Sequence, residues 1–401
     1  MEILVVAPYP PYPPRFGGAA RVYHLIRALA RAHRVTLLCF ASADEAATLA
    51  PLREVCAVHT VPRNPAARWK RLYQLRSLWG EAYSAYLNRS PRMAAALDAL
   101  LVRHRFDLVQ LEFGDMAAYY TVPDTVLRVL DEHNVEHLLF ERTWRQERAP
   151  LRRLYYRTQA RKLRRDELTA CRRADAILTT SDVDRASLAP HVVGIPIRVV
   201  PNGVDTRFFV PGPGPAMAGR LVFTGAIDYQ PNTDGVLHFC AKIWPHVVAA
   251  APEATFAVVG KDPPARVRAL AGERVVVTGT VPDVRPWMQE AAVFVVPLRI
   301  GGGTRLKILE AMATGRAVVS TSLGCEGLQV TSGEDILIAD DPREFAAAVV
   351  RCMRDPELRA RLGARGRALV ERCYRWEAIG DELSEFYEEL AARRARAVPA
   401  R

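Results

Sequence analysis

The stretch Ala292 to Ser322, AVFVVPLRIGGGTRLKILEAMATGRAVVSTS, constrains the fold more than any other part of this chain. It reads as strand, glycine loop, helix and strand. Val293 to Leu298 is a short apolar run suited to a strand buried on both faces. Gly301, Gly302 and Gly303 follow. Thr304 is placed as an N-cap, Arg305 to Ala313 are good helix formers, and Gly315 is placed to end the helix. Ala317 to Ser320 begins the next strand. Glycines ahead of a helix let backbone N–H groups approach a ligand, and the helix dipole favours an anion there. Arg305 and Lys307 put two cations in the first turn, each working against the dipole by about 0.3–1 kcal/mol. That points to a negative ligand such as a diphosphate; the alternative is a solvated first turn behind a flexible loop. Glu310 lies within about 40° of Leu306, on the apolar side of the helix. A carboxylate there needs partners, either an ion pair within the fold or ligand hydroxyls.

The same alternation fills the rest of the chain. Glu2–Ala7 and Arg34–Phe40 read as strands joined through a helix over 19–32. Gly17 and Gly18 sit at the strand-to-helix turn, where open parallel sheets bind ligands. Further strands are expected over 55–61, 107–111, 125–130, 175–180 and 197–200. Polar residues just past two of these strands, Glu112 and then Asp131, Glu132, His133 and Asn134, would face the crevice of a doubly wound sheet. Residues 136–173 read as one helix broken at Pro150. The Pro/Gly stretch 210–219 reads as a linker. A second series follows, with strands near 220–224, 254–259, 274–277, 293–298, 317–320 and 335–339. Helices lie between them, among them 232–250, 284–291 and 342–354. The tail from Trp376 forms a last helix. The expected fold is α/β: two doubly wound domains, 1–209 and 220–375, facing across a cleft.

Charge and cysteine usage narrow the functional classes. The 401 residues carry a net charge of +11. Residues 1–200 hold 30 Lys/Arg against 20 Asp/Glu, whereas 201–401 hold 25 against 24. A basic half points to an anionic partner. Residues 63–92 mix arginines with Trp69, Tyr73, Trp79, Tyr83 and Tyr86, which suits a membrane interface, a bulky anionic acceptor or the buried faces of helices. Between Arg142 and Arg173 there are 12 Lys/Arg and three acids, a composition fit for an anionic lipid surface or a solvated helix face. Nucleic acid is not an expected partner, because no motif accompanies the charge. Seven scattered cysteines without CxxC suit a reducing compartment and argue against a zinc site. With no basic n-region and no long apolar run, a cytoplasmic protein is expected, with contact at the inner face of the membrane left open.

Four motifs occur together: GG at 17–18, DEHNVEH at 131–137, VVPNGVD at 199–205 and ILEAMATGRAVVSTS at 308–322. With these the chain resembles the family 4 glycosyltransferases, the retaining GT-B enzymes, over nearly its whole length. The variant GGGTRLKILEAMA looks like the branch associated with exopolysaccharide and cell-surface glycan assembly. The resemblance implies two Rossmann-like domains, a nucleotide sugar (UDP- or GDP-linked) held by the C-terminal one and the acceptor by the N-terminal one. It also implies a final helix, from 376, that crosses back to the N-terminal domain, and no metal or other cofactor. The acceptor is a hydroxyl, lipid-linked or on a growing glycan. Carried over residue by residue, Glu310 matches the glutamate that binds the donor ribose, and His133 the histidine that contacts the donor sugar. Gly17 and Gly18 match the loop near the diphosphate and acceptor. Gly225, Gly302, Gly303, Thr304, Arg305 and Lys307 complete the expected donor and phosphate site, with Glu112 and Asn134 on the acceptor side.

Two departures from the family pattern stand out. Gly302 occupies the place of the first motif glutamate, which touches the donor sugar. The usual phosphate-binding Arg and Lys fall on Ala226 and Asn232, and Arg305 and Lys307 are expected to replace them. The readings that compete with a transferase are a non-catalytic nucleotide-sugar-binding protein and a nucleotide-sugar epimerase on the same fold.

Overall fold

Short apolar runs build two parallel sheets. The structure, a computed structural model, describes residues 1–63, 66–119 and 121–397, and of 66–71 and 397 the backbone alone. The side chains of Arg68, Trp69, Lys70 and Arg71 in the basic-aromatic stretch thus lie outside the described residues. The chain divides into two compact units, Met1–Pro201 with Trp376–Arg401, and Asn202–Arg375.

The first unit carries β1 (Glu2–Ala7), β2 (Arg34–Phe40), β3 (Ala57–Val61), β4 (Leu108–Glu112), β5 (Leu127–Glu132), β6 (Ala176–Thr179) and β7 (Ile197–Val199). Their order is β3-β2-β1-β4-β5-β6-β7, parallel throughout. The order reverses between β1 and β4, so the loops after these strands diverge and leave a crevice at their carboxyl ends. The strands run further than the apolar pattern indicates. Glu112, Asp131 and Glu132 are their last residues, with Glu112 opposite Asp131 and Glu132 opposite Thr179, and all three carboxylates are buried. Residues 136–173 form two helices, Glu136–Gln146 and Pro150–Arg172. Pro150 sits in the first turn, where its missing N–H costs nothing.

The helix Trp376–Ala397 belongs to this unit. Its Trp376 ring stacks on His24 of the first helix, Gly17–Leu29, with centroids 5.1 Å apart. Ser384 meets His33 Nε2 at 2.6 Å, and the Tyr387 hydroxyl donates to Gln110 Oε1 on β4 at 2.6 Å. Ile379, Leu383, Phe386 and Leu390 are buried along the same helix.

The second unit carries β8 (Arg220–Thr224), β9 (Thr255–Val259), β10 (Val275–Gly279), β11 (Val293–Val296), β12 (Ala317–Ser320) and β13 (Leu337–Ile338), ordered β10-β9-β8-β11-β12-β13. Here the order reverses between β8 and β11. The change of unit falls at Pro201–Asn202, ahead of the Pro/Gly stretch 210–219, because the backbone beyond it is already paired. Val204 N–H donates to Tyr374 O at 2.7 Å and Val204 bridges Arg375. The helix expected over 232–250 runs from Gln230 to Ala250 with a π-helical turn at Phe239–Ile243. Pro245 just beyond lacks an N–H and forces the ladder to adjust. A further helix, Pro356–Cys373, buries Leu358, Leu362, Leu369 and Val370.

Leu383 is fully buried, and its replacement by Ala should cost about 2–5 kcal/mol. An unchanged urea midpoint for Leu383→Ala would show that the tail helix contributes nothing to the core of the first unit.

Candidate active site

In the first unit the site begins with Arg21, one residue off the apolar stripe of the helix Gly17–Leu29 and only 1% exposed. Its Nε and Nη2 donate to the two Asp131 carboxylate oxygens at 2.8 Å each, and Nη1 donates to Val200 O at 2.7 Å. Glu112 accepts from Gln110 Nε2 and meets His133 Nε2, both at 2.6 Å. The His133 ring lies 3.9 Å from that of Phe113, whose φ of +72° is a left-handed conformation that a bulky residue rarely adopts. Burial pushes the Glu112 carboxyl up, Asp131 adds to this, and the hydrogen bond to His133 opposes it.

Ligand atoms of Glu112, Asp131 and His133 all lie within 4.8 Å of one another, the spacing a metal would need. Arg21 already takes both oxygens of Asp131, while Gln110 and His133 take those of Glu112. The carboxylate oxygens of the cluster are therefore already taken by its own donors, which fits a buried hydrogen-bonded ion-pair network better than a metal site.

Gly17 and Gly18 open the first helix, whose N-cap, Phe16, offers no side-chain hydrogen bond. A Cβ at Gly18 would stand 2.1 Å from the Tyr9 hydroxyl and 3.3 Å from His133 Nδ1, so any side chain there would displace the Tyr9 hydroxyl. Those two polar atoms are buried and have no hydrogen-bond partner among the described residues. The helix start, Tyr9 and His133 thus converge at the β1/β4 crevice. Asn134, expected on the acceptor side, donates to Glu136 Oε1 at 3.4 Å.

Beside this crevice lies a cavity of about 390 Å³ whose lining includes Tyr9, Phe113, Asp115, Glu132, Glu136 and Glu167. Glu112, His133 and Asn134 are not among its lining residues. Burial, reinforced by Glu167, pushes Glu136 up to about 8. Burial, against a hydrogen bond from Ser84 and with Glu167 adding to it, moves Asp115 to about 6, and burial lifts Glu132 well above the carboxylate range. The cavity wall is therefore partly protonated near neutrality and offers both donors and acceptors to a polyhydroxylated molecule.

In the second unit the loops after β8 and β11 hold the candidate residues. Gly225, at φ +149°, follows β8; its carbonyl oxygen would lie 1.7 Å from a Cβ at Gly260, so Gly260 admits no side chain, and at Gly225 itself the backbone conformation disfavours one. Lys307 Nζ donates to Asn232 Oδ1 at 2.7 Å and sits 3.9 Å from the centre of the Phe223 ring. Asn232 is itself oriented by donating Nδ2 to Ala226 O at 2.7 Å. Burial lowers Lys307 to about 7, with Glu310 opposing. Burial raises Glu310 to about 7, with Lys307 opposing.

Three expectations are corrected here. Thr304 does not cap the helix: it starts at Leu306 with Arg305 as N-cap, and the Thr304 hydroxyl accepts from Asn202 Nδ2 at 2.8 Å. Arg305 does not stand in the first turn. Its guanidinium folds back onto the carbonyls of Gly302, Gly303 and Leu323 and orders the glycine loop. Glu310 is not on the buried face, which consists of Ile308, Leu309, Ala311, Met312 and Ala313; it shares the half-buried side with Leu306 and Lys307. The residue is half-buried, and its carboxyl, beside the Lys307 cation, has no hydrogen-bond partner among the described residues.

Two doubly wound parallel sheets, each with its candidate residues at the strand-order reversal, define the GT-B class of glycosyltransferase fold. Residues 16–208 match the model of Glycosyltransferase Family 4, and residues 218–355 that of Glycosyl transferases group 1. The chain belongs to the family 4 glycosyltransferases. It is 30% identical over 203 residues to a phosphatidyl-myo-inositol mannosyltransferase of Mycolicibacterium smegmatis, covering 48% of this chain and 52% of that protein. The chain thus spans about half the length of that relative. It is 26% identical over 266 residues to the lipopolysaccharide core biosynthesis mannosyltransferase LpcC of Rhizobium leguminosarum, covering 61% and 72%. In structure it is similar to the sucrose-phosphate synthase of Thermosynechococcus elongatus, with a TM-score of 0.73 over 98% of this chain and 100% of that one at 20% identity.

Arg21 and Tyr9 carry no role in the sequence pattern, and Asp131 is marked there only as a polar residue facing the crevice. The one signal for Arg21 was a charge bordering an apolar helix stripe, and Asp131 stood in a motif where His133 drew the attention.

The raised Glu136 pKa has a consequence for stability. The folded state holds a proton that the unfolded state releases above about 4.5, so this contribution is full at low pH and is lost as pH rises through about 8. Glu136→Gln should therefore raise the melting temperature at pH 8.5 and leave it nearly unchanged at pH 5. Equal effects at both pH values would contradict a protonated Glu136.

Proposed function

We propose that this protein is a retaining hexosyltransferase. It moves a sugar from a UDP- or GDP-linked donor to a hydroxyl acceptor, without a metal, in the assembly of a surface polysaccharide or glycoconjugate. The observation that carries the reading is Lys307, a cation held by Asn232 beside Gly225 at the β8/β11 reversal, with the half-buried Glu310 carboxyl on the same helix. A cation beside bare glycine backbone suits a diphosphate, and a carboxyl alongside suits ribose hydroxyls. Names of relatives favour mannose as the sugar and a lipid-borne glycan as the acceptor.

In this reading the bond from the anomeric carbon to the diphosphate oxygen breaks through an oxocarbenium-like state. The acceptor hydroxyl attacks from the same face, and its proton passes to the departing phosphate. Lys307 and the loop N–H groups stabilise the charge that develops on the leaving group. His133, held by Glu112 and Phe113, orients the sugar, and the acceptor uses the carboxyl-lined cavity of the first unit. Arg305 acts indirectly, by fixing the glycine loop. Gly302, where a glutamate would touch the sugar, leaves room for a bulkier or differently substituted hexose.

The direct test is product formation from GDP- and UDP-sugars with a hydroxyl acceptor, read by mass spectrometry, with the new anomeric centre assigned by NMR. Retained configuration, and turnover that EDTA leaves intact, are expected. An inverted product would overturn the mechanism, and donor binding without any product would favour a non-catalytic binding protein.

Lys307→Met should lower kcat/KM by about 10- to 100-fold, the equivalent of a lost charge-assisted hydrogen bond of ~1.5–3 kcal/mol. Nucleotide affinity should also weaken as pH rises from 6 to 8.5, because Lys307 loses its charge near 7 while Glu310 gains one. A wild-type profile no steeper than that of Lys307→Met, in which only Glu310 still titrates, would remove Lys307 from the phosphate site.

A further inference from the structure

The helical hairpin Glu136–Gln146 and Pro150–Arg172 has two ends of opposite character. Its base, with Glu136, Leu163 and Glu167, lines the acidic cavity. Its tip is basic and apolar. Arg145 to Arg157 contains five arginines and one acid, Glu147. Leu151 and Leu154, at the start of the second helix, are 83% and 58% exposed. Trp144 lies under the guanidinium groups of Arg145, Arg153 and Arg157, at 5.8, 5.6 and 5.9 Å from its ring centroid. Arg148 and Arg152 have no acidic partner among the described residues.

A second element beside the hairpin repeats the pattern. The helix Ala66–Trp79 contains no acidic residue, and its C-terminal end is tied to the hairpin by Lys162 Nζ, which donates to Ser77 O at 2.7 Å and Leu78 O at 3.0 Å. Leu72, Leu75 and Trp79, spaced to share one helix face, are all exposed, Trp79 at 81%.

Exposed leucines and tryptophan cost free energy in water, and uncompensated arginines repel one another, so both features call for a partner that is apolar and anionic at once. A folded acidic protein would supply the charge without a fluid apolar layer, and a nucleic acid would leave the leucines wet. No helix among the described residues is long and apolar enough to cross a membrane, so the contact is with the surface.

We propose that the hairpin tip, with the exposed face of the helix Ala66–Trp79, docks on a bilayer bearing anionic phospholipid. Leu151 and Leu154 enter the headgroup region and the arginines bind lipid phosphate. From tip to cavity the hairpin spans roughly 15–20 Å at 1.5 Å per residue. Docking therefore holds the cavity at the height of a headgroup glycan standing off the membrane. That link to the acceptor rests on the transferase reading; the docking does not.

The test is flotation of the full chain with vesicles of phosphatidylcholine alone and with about 30% phosphatidylglycerol, without donor or acceptor, so that a failure of docking is separate from a failure of transfer. Binding is expected only to the anionic vesicles and should weaken as salt rises from 0.1 to 0.5 M. Arg148→Ala with Arg152→Ala should weaken it about 25-fold, roughly fivefold per arginine at the surface. Leu151→Ala with Leu154→Ala should weaken it by about tenfold or more. These side chains are exposed, so melting temperatures should stay constant. Equal binding to both vesicle types, no binding to either, or full retention in both double variants would overturn the proposal. So would an RNA duplex that displaces the vesicles while the leucine variant binds it unchanged.

Discussion

The first unit depends on one buried ion pair. Arg21 and Asp131 are 1% exposed or less, and each satisfies the other through two hydrogen bonds. Removing one partner of such a pair typically costs about 3–5 kcal/mol, because the other charge is left stranded. Arg21 also holds the carbonyl of Val200, and Asp131 lies 3.7 Å from His133 Nε2. Glu112 then joins His133 to Gln110, and Gln110 to Tyr387 of the last helix. One network thus links the first helix, two central strands, the exit of the unit and the C-terminal helix. His133 is held at its centre with Nδ1 turned toward the start of the first helix.

The candidate residues of the second unit include three charged groups, Arg305, Lys307 and Glu310. Its two cations near the glycine loop divide the labour: Arg305 is consumed by backbone carbonyls, and Lys307 is held by one amide and an aromatic face. A lysine so placed is partly desolvated. It is poised to regain full charge when an anion arrives, and it brings pH sensitivity into the range where Glu310 also titrates.

Much of this was legible from residue order. Buried parallel strands announce themselves as uninterrupted apolar runs, and the strands of both sheets and their glycine turns follow that signal. Pro150 marked the hairpin turn for the same reason, since proline suits a first helical turn. Side-chain direction was less legible. Helical angle put Glu310 beside Leu306 correctly, but Leu306 itself is only half buried, so the inferred apolar face was the wrong side. Arg305 and Lys307 look equivalent in sequence, yet a two-residue offset at a helix start turns one back onto the loop and the other toward β8. Arg21 could not be told from a solvated arginine without Asp131, 110 residues away. The acidic cavity collects side chains from six separate segments and has no linear signature.

A thermal-shift comparison of wild type and Lys307→Met with GDP, UDP, ADP and their sugars tests the nucleotide-sugar site most directly. A nucleotide at about 100 times its Kd stabilises by roughly 2.7 kcal/mol, or about 5–10 °C for a unit of this size. One nucleotide should raise the wild-type melting temperature by that amount and shift Lys307→Met far less. If no nucleotide moves the wild type, or if both proteins shift alike, Lys307 is not the donor phosphate cation and the second unit does not hold the donor in this way.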